Sequence, residues 1–135
     1  MRYFISGHRD LTVEEFKKYY VPKIDKAILL DPNPLFVVGD YWGCDIMAQD
    51  YLVQKGMAEH TIVYHMFRAP RQHNISIKYL KGGFYTDEER DAAMTKNSDF
   101  DIAFVREGKW KDSGTATNIR RRANFKSVSE NENGD

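Results

Sequence analysis

Four short apolar runs punctuate this chain: Tyr-Phe-Ile at 3–5, Leu-Phe-Val-Val at 35–38, Thr-Ile-Val-Tyr at 61–64 and Asp-Ile-Ala-Phe-Val at 101–105. None alternates apolar with polar residues, so strands built from them must be buried on both faces. Helical signals lie between them. Thr12 precedes Glu15 by three positions, a capping box, and Phe16, Tyr19, Tyr20, Ile24 and Ala27 follow at helical spacing. Pro22 should split that segment. A second helix is expected over 45–55, with Ile46, Met47, Tyr51 and Leu52 toward the sheet and Gly56 as its stop. Thr86 and Glu89 repeat the capping pattern and open a third helix to about Lys96; a last helix is expected over 116–123. Strands alternating with helices predict an α/β, Rossmann-like three-layer fold with a mainly parallel sheet of four to five strands.

Residues 67–85 break the pattern, with Pro70 and the Gly82-Gly83 pair, and read as a long functional loop. At 135 residues the chain is expected to form one domain over 1–126, with a polar, acidic, frayed tail over 127–135.

The formal net charge is zero, which removes any global electrostatic case for nucleic acid or an anionic membrane as partner. Arg120, Arg121 and Arg122 read as a solvated helix end. Cys44 is the only cysteine, so no disulfide forms within the chain and no cysteine-rich zinc site is possible. Its expected role is a buried packing residue. No apolar stretch approaches the roughly 18 residues that span a bilayer, and the first residues lack a signal-peptide core, so a cytoplasmic protein is expected. His8, His60, His65 and His73 show no metal-ligand spacing. Neither a metal nor a cofactor is expected.

Ligands of open α/β sheets bind beyond the carboxyl ends of the strands. Three loops leaving such ends carry unusual residues. The first is Ser6-Gly7-His8-Arg9-Asp10, the second Gly39-Asp40-Tyr41-Trp42-Gly43-Cys44-Asp45, and the third Asp112-Ser113-Gly114-Thr115-Ala116-Thr117-Asn118. Glycine lets backbone approach a ligand, and Ser113-Gly114-Thr115 opening a helix would make a phosphate nest. The same glycines could serve tight turns alone. Asp45 could cap its helix or bind ribose hydroxyls. His8 could bind phosphate, act as an acid-base group, or stand exposed in a turn. Tyr41 and Trp42 could stack on a base or cover a core edge. Neither a P-loop nor a GxGxxG pattern is present.

Taken together, these loops resemble the SLOG superfamily, in its branch of small stand-alone members (the YspA and cpYpsA-related proteins). Gly7-His8-Arg9-Asp10 is similar to that branch's first motif. Gly43 and Asp45 match its second, Glu89-Arg90-Asp91-Ala92-Ala93-Met94 resembles its third, and Ser113-Gly114-Thr115-Ala116-Thr117-Asn118-Ile119 its fourth. More distant similarity links the chain to phosphoribohydrolases of the lysine-decarboxylase-like group and to nucleoside 2-deoxyribosyltransferases. Where the transferases carry a nucleophilic glutamate this chain has Asn118, and Asp40 replaces the second glycine of the second motif. The resemblance implies a nucleotide-binding domain, with Arg90 contacting phosphate.

Three functions follow. The first is binding of a nucleotide or nucleotide-derived ligand, as a sensor or sequestering module, by Ser6, Gly7, His8, Arg9, Gly39, Gly43, Asp45, Arg90, Ser113, Gly114, Thr115 and Asn118. The alternative is an N-glycosidase acting on a nucleoside monophosphate, with Asp40 or Asp45 as the catalytic carboxylate. The third is an interaction protein using residues 67–85. Self-association into a homo-oligomer is expected.

Overall fold

The computed structural model describes residues 1–110 and 113–133, with side chains through 124. Lys111, Asp112, Gly134 and Asp135 lie outside the described residues, together with the turn and tail readings that fall on them. The elements run β1 (Arg2–Ser6), α1 (Val13–Tyr19), α2 (Val21–Leu30), β2 (Leu35–Val38), α3 (Cys44–Gln54), a 3-10 turn (Ala58–His60), β3 (Thr61–Met66), β4 (Tyr79–Phe84), α4 (Asp87–Lys96), β5 (Phe100–Ala103) and α5 (Gly114–Asn133). All five strands are parallel, in the order β4-β3-β2-β1-β5. This is the Rossmann-like α/β class.

Adjacent strand residues point to opposite faces, and both faces are covered. Ile5, Phe36, Val38 and Ile102 pack beneath α1, α2 and α3, against Phe16, Tyr20, Ile24, Ala48 and Leu52. Phe4, Val37 and Tyr64 pack on the other face against Met94 of α4, which α5 joins. The doubly apolar runs thus satisfy two helical layers at once. Pro22 falls at the start of α2 and divides it from α1. Thr12 and Glu15 close the expected capping box, with Glu15 N–H donating to Thr12 Oγ1 and Thr12 N–H to Glu15 Oε1.

Five local readings are corrected. Residues 79–84, inside the stretch read as a loop, form β4. Its residues are exposed apart from half-buried Phe84, because it is an edge strand paired only with β3. It therefore lacks the buried runs that mark β1, β2 and β3. β5 ends at Ala103: the Phe104 N–H leaves the ladder for the Tyr20 hydroxyl (3.0 Å), and the Phe104 ring stacks on Tyr19.

The buried face of α3 is Cys44, Asp45, Ala48, Gln49 and Leu52, leaving Ile46, Met47 and Tyr51 half-buried. Apolar periodicity missed Gln49 because its polarity is fully used. Gln49 donates to the carbonyls of Gly39 (3.0 Å) and Gln72 (3.1 Å) and accepts from Asn74 N–H (2.8 Å). The same bonds order residues 71–74 against the second loop. Finally, the backbone of α5 continues to Asn133, beyond the helix end expected at 123. Arg122 is not solvated: it is buried and pairs with Asp101 (2.9 Å), an ion pair without hydrogen-bond alignment at Nε, while its Nη atoms donate to Ser98.

Candidate functional site

Strands β2, β3 and β4 build outward on one side of β1, and β5 returns on the other. The chain therefore reverses direction between β1 and β5, which opens a crevice at their carboxyl ends. Tyr20, fully buried, spans the two strand ends: its hydroxyl donates to Ser6 C=O (2.7 Å) and accepts from Phe104 N–H. Above it lies a cleft of about 440 Å³, within the size range of small-molecule sites. Phe4 and Met94 form part of its lining, with Ser6, Gly7, His8 and Arg9 from the first loop. Tyr41, Trp42 and Asp45 enter from the second loop, Asp87, Arg90 and Asp91 from α4. The loop after β5 adds Arg106 and Lys109, and Ser113, Gly114, Thr115 and Asn118 come from the start of α5.

The first two loops are fixed on each other through Gly43. Cys44 N–H donates to His8 C=O (3.1 Å), and Gly43 adopts φ +71° with its missing side chain facing the His8 and Arg9 carbonyls. A Cβ there would meet backbone that has no room to give, on a conformation costly for L-residues. Gly43→Ala is expected to cost about 2–4 kcal/mol, read as a lower urea midpoint with an unchanged m value.

Behind the cleft wall, carboxylates surround two guanidinium groups. Arg90 donates through Nη1 to Asp40 Oδ1 (2.7 Å) and through Nε and Nη2 to Asp91 Oδ1 (3.1 and 2.8 Å); Nη1 also lies 3.3 Å from Asp87. Arg71 donates its backbone N–H and Nε to Asp40 Oδ2, and its Nη2 to Asp40 Oδ1 and Asp87 Oδ1. Its guanidinium lies 4.6 Å over the Tyr41 ring. Burial alone would raise the Asp40 carboxyl, but the Arg71 hydrogen bonds and the two arginine charges hold it below its ordinary value.

Asp45 behaves in the opposite way. Burial pushes it up to about 7, with Arg90 opposing the rise. Its Oδ2 accepts from Tyr41 N–H (3.0 Å), so it fixes the turn that precedes α3; it makes no capping hydrogen bond, and Gly43 is the N-cap.

A clasp holds the β5–α5 loop over the first loop. Arg106 N–H donates to His8 Nε2 (3.0 Å), and the Arg106 guanidinium reaches Asp10 (2.8 Å) and Glu15 (2.7 Å). Accepting at Nε2 places the His8 proton on Nδ1. Burial and then the Arg106 charge lower the His8 pKa, so the ring is neutral near pH 7. The Arg106 hydrogen bond, with the N-cap bond to Thr12, lowers Glu15 to about 2. At α5, the Ser113 hydroxyl accepts from Ala116 N–H (3.0 Å) and caps the helix. Asn118 donates to Asp91 Oδ2 (3.2 Å) and accepts from Arg121.

Of the residues expected at the site, Ser6, Gly7, His8, Arg9, Asp45, Arg90, Ser113, Gly114, Thr115 and Asn118 converge on the cleft. Three do not. Asp40 is fully buried, and both its oxygens are held by arginines. Gly39 leaves the space that the Asp45 carboxylate and the Arg90 guanidinium occupy, and Gly43 packs on the first loop. Arg90 does reach the cleft, but its hydrogen bonds go to carboxylates rather than to an open anion position. Cys44 is fully buried, with its thiol pushed well up by burial. Arg71, Arg106 and Lys109 escaped the sequence reading. Arg71 lies 31 positions from Asp40 and Arg106 96 from Asp10, and no periodic pattern connects such pairs.

Fold and cleft define an α/β protein of the open, parallel-sheet kind with a polar cleft at its topological switch point. No protein-family profile, no curated protein and no solved structure matches the chain.

Proposed function

We propose that the cleft binds a nucleotide or nucleotide-derived ligand, as a sensor or sequestering module. One observation carries the reading. The amino end of α5, Ser113-Gly114-Thr115, lines the same cleft as Arg9 and Lys109, two cations without an ion pair among the described residues, at the switch point of the sheet. A helix start offers N–H groups and partial positive charge, and free cations complete an anion site. The motif resemblance to SLOG proteins supports the same reading. Isothermal titration with nucleoside mono-, di- and cyclic phosphates should give saturable binding. Arg9→Ala and Lys109→Ala should each weaken it about tenfold. Absence of binding by every nucleotide would sink the proposal.

A second reading, hydrolysis of a nucleoside monophosphate to free base and ribose 5-phosphate, is favoured by Asp45. It lines the cleft and titrates near 7, where a carboxyl can serve as a general acid. Asp40, with both oxygens bonded to arginines, is the weaker candidate. Release of free base, lost in Asp45→Asn, is the distinguishing result. Self-association belongs to the same proposal: β4 leaves one sheet edge open, and Ile75, Tyr79, Leu80 and Tyr85 stand exposed in and beside it. No described helix is long and apolar enough to cross a membrane.

A further inference from the structure

Trp42 is 59% exposed, yet both its chain neighbours are held in place. Before it, Tyr41 is held at its N–H by Asp45 and over its ring by Arg71. After it, Gly43 is seated against the first loop. No aromatic or cationic side chain among the described residues stacks on the indole. Leaving a large apolar ring in water on a rigid support forgoes burial that the fold could otherwise gain. The other aromatic rings of the cleft are less open: Phe4 is 1% exposed, Tyr41 and His8 are half-buried, and Arg71 lies over the Tyr41 ring.

We propose that Trp42 is the specificity-determining residue of this cleft, and that it recognises the ligand by stacking on a planar heteroaromatic ring. The inference rests on the nucleotide reading above and adds to it the side that reads the base. Arg9, Lys109 and the start of α5 hold the anionic end of the ligand, and the indole holds the ring. Stacking is tolerant of ring identity, because every base presents a π-face. The cleft therefore separates ligands with a base from those without one more sharply than it separates one base from another. Neighbouring turns already hold Trp42 in place, so little ordering cost opposes stacking.

The chain has two tryptophans, and Trp110 lies outside the cleft lining. Trp110→Phe leaves Trp42 as the sole indole reporter. In that background, AMP and UMP should quench the emission and bind roughly 5- to 150-fold more tightly than ribose 5-phosphate. By isothermal titration, which needs no indole, Trp42→Ala should remove that advantage while leaving ribose 5-phosphate binding unchanged, and Trp42→Phe should restore most of it. A thermal melt of Trp42→Ala matching the parent excludes a folding defect. Equal affinity for ribose 5-phosphate and the nucleotides in the parent would overturn the role of Trp42 and leave the phosphate site standing. So would a Trp42→Ala loss shared equally by all three ligands. If neither ribose 5-phosphate nor any nucleotide binds, both this inference and the nucleotide reading fall.

Discussion

Arg90→Met is expected to lose about 3–5 kcal/mol of stability near neutral pH, the usual cost of removing one partner from a buried ion cluster. Arg90 is itself buried, and it faces Asp40, Asp87 and Asp91 within ion-pair distance. Methionine keeps much of the apolar stem but none of the charge, so the loss is electrostatic. Arg71 would still hold Asp40, whereas Asp91 would keep only Asn118 among the described residues, and Asp45 would lose the charge that opposes its rise.

The sign of the pH dependence follows. Without Arg90 the folded-state pKa of Asp45 rises further, and a carboxyl raised in the folded state is most stabilising when protonated. The variant should therefore recover part of its deficit relative to the parent as pH falls from 7.5 to 5. Urea unfolding at both pH values measures this. A deficit below about 1 kcal/mol, or one of equal size at both pH values, would show that the cluster is not held by charge.

The cluster also shows what a sequence can and cannot reveal here. Fold class was legible because strands buried on both faces must be apolar throughout, as at 35–38. Capping residues work locally, so Thr12 and Glu15 were legible for the same kind of reason. The cleft was partly legible because glycines and helix starts follow strand ends in sequence order. The partner of Asp40 was not, since Arg71 sits in a segment with no period of its own. β4 was hidden because nearly all its residues are exposed and its sequence, Tyr79 to Phe84, carries no apolar run. Polar burial was hidden too: Asp45 and Gln49 on α3 are accommodated by bonds from Tyr41, Asn74 and the Gly39 carbonyl, which only the folded chain brings near. Asp40 and Asp45 were both legible as candidate catalytic carboxylates. The arginine partners of Asp40 leave Asp45 as the one to test.

Asp45→Asn is expected to stabilise the protein above neutral pH, by on the order of 4 kcal/mol, the free energy equivalent of moving a carboxyl from 3.8 to about 7. Asparagine keeps an acceptor for Tyr41 N–H and removes the buried charge. In the parent, the folded chain retains the Asp45 proton between pH 4 and 7 while the unfolded chain has lost it. The contribution of Asp45 is thus fully present below about pH 4 and is lost as pH rises through about 7. His8, lowered in the folded state, acts with the opposite sign below its ordinary value of 6.5, and Glu15, lowered to about 2, acts only below its ordinary value of 4.5. The parent's own pH profile mixes these groups. The difference between parent and Asp45→Asn isolates one of them: it should open between pH 4 and 7 and stay constant above. Parallel profiles at every pH would remove Asp45 as a proton carrier near neutrality, and with it the observation that favours the glycosidase reading, while leaving anion binding at α5 untouched.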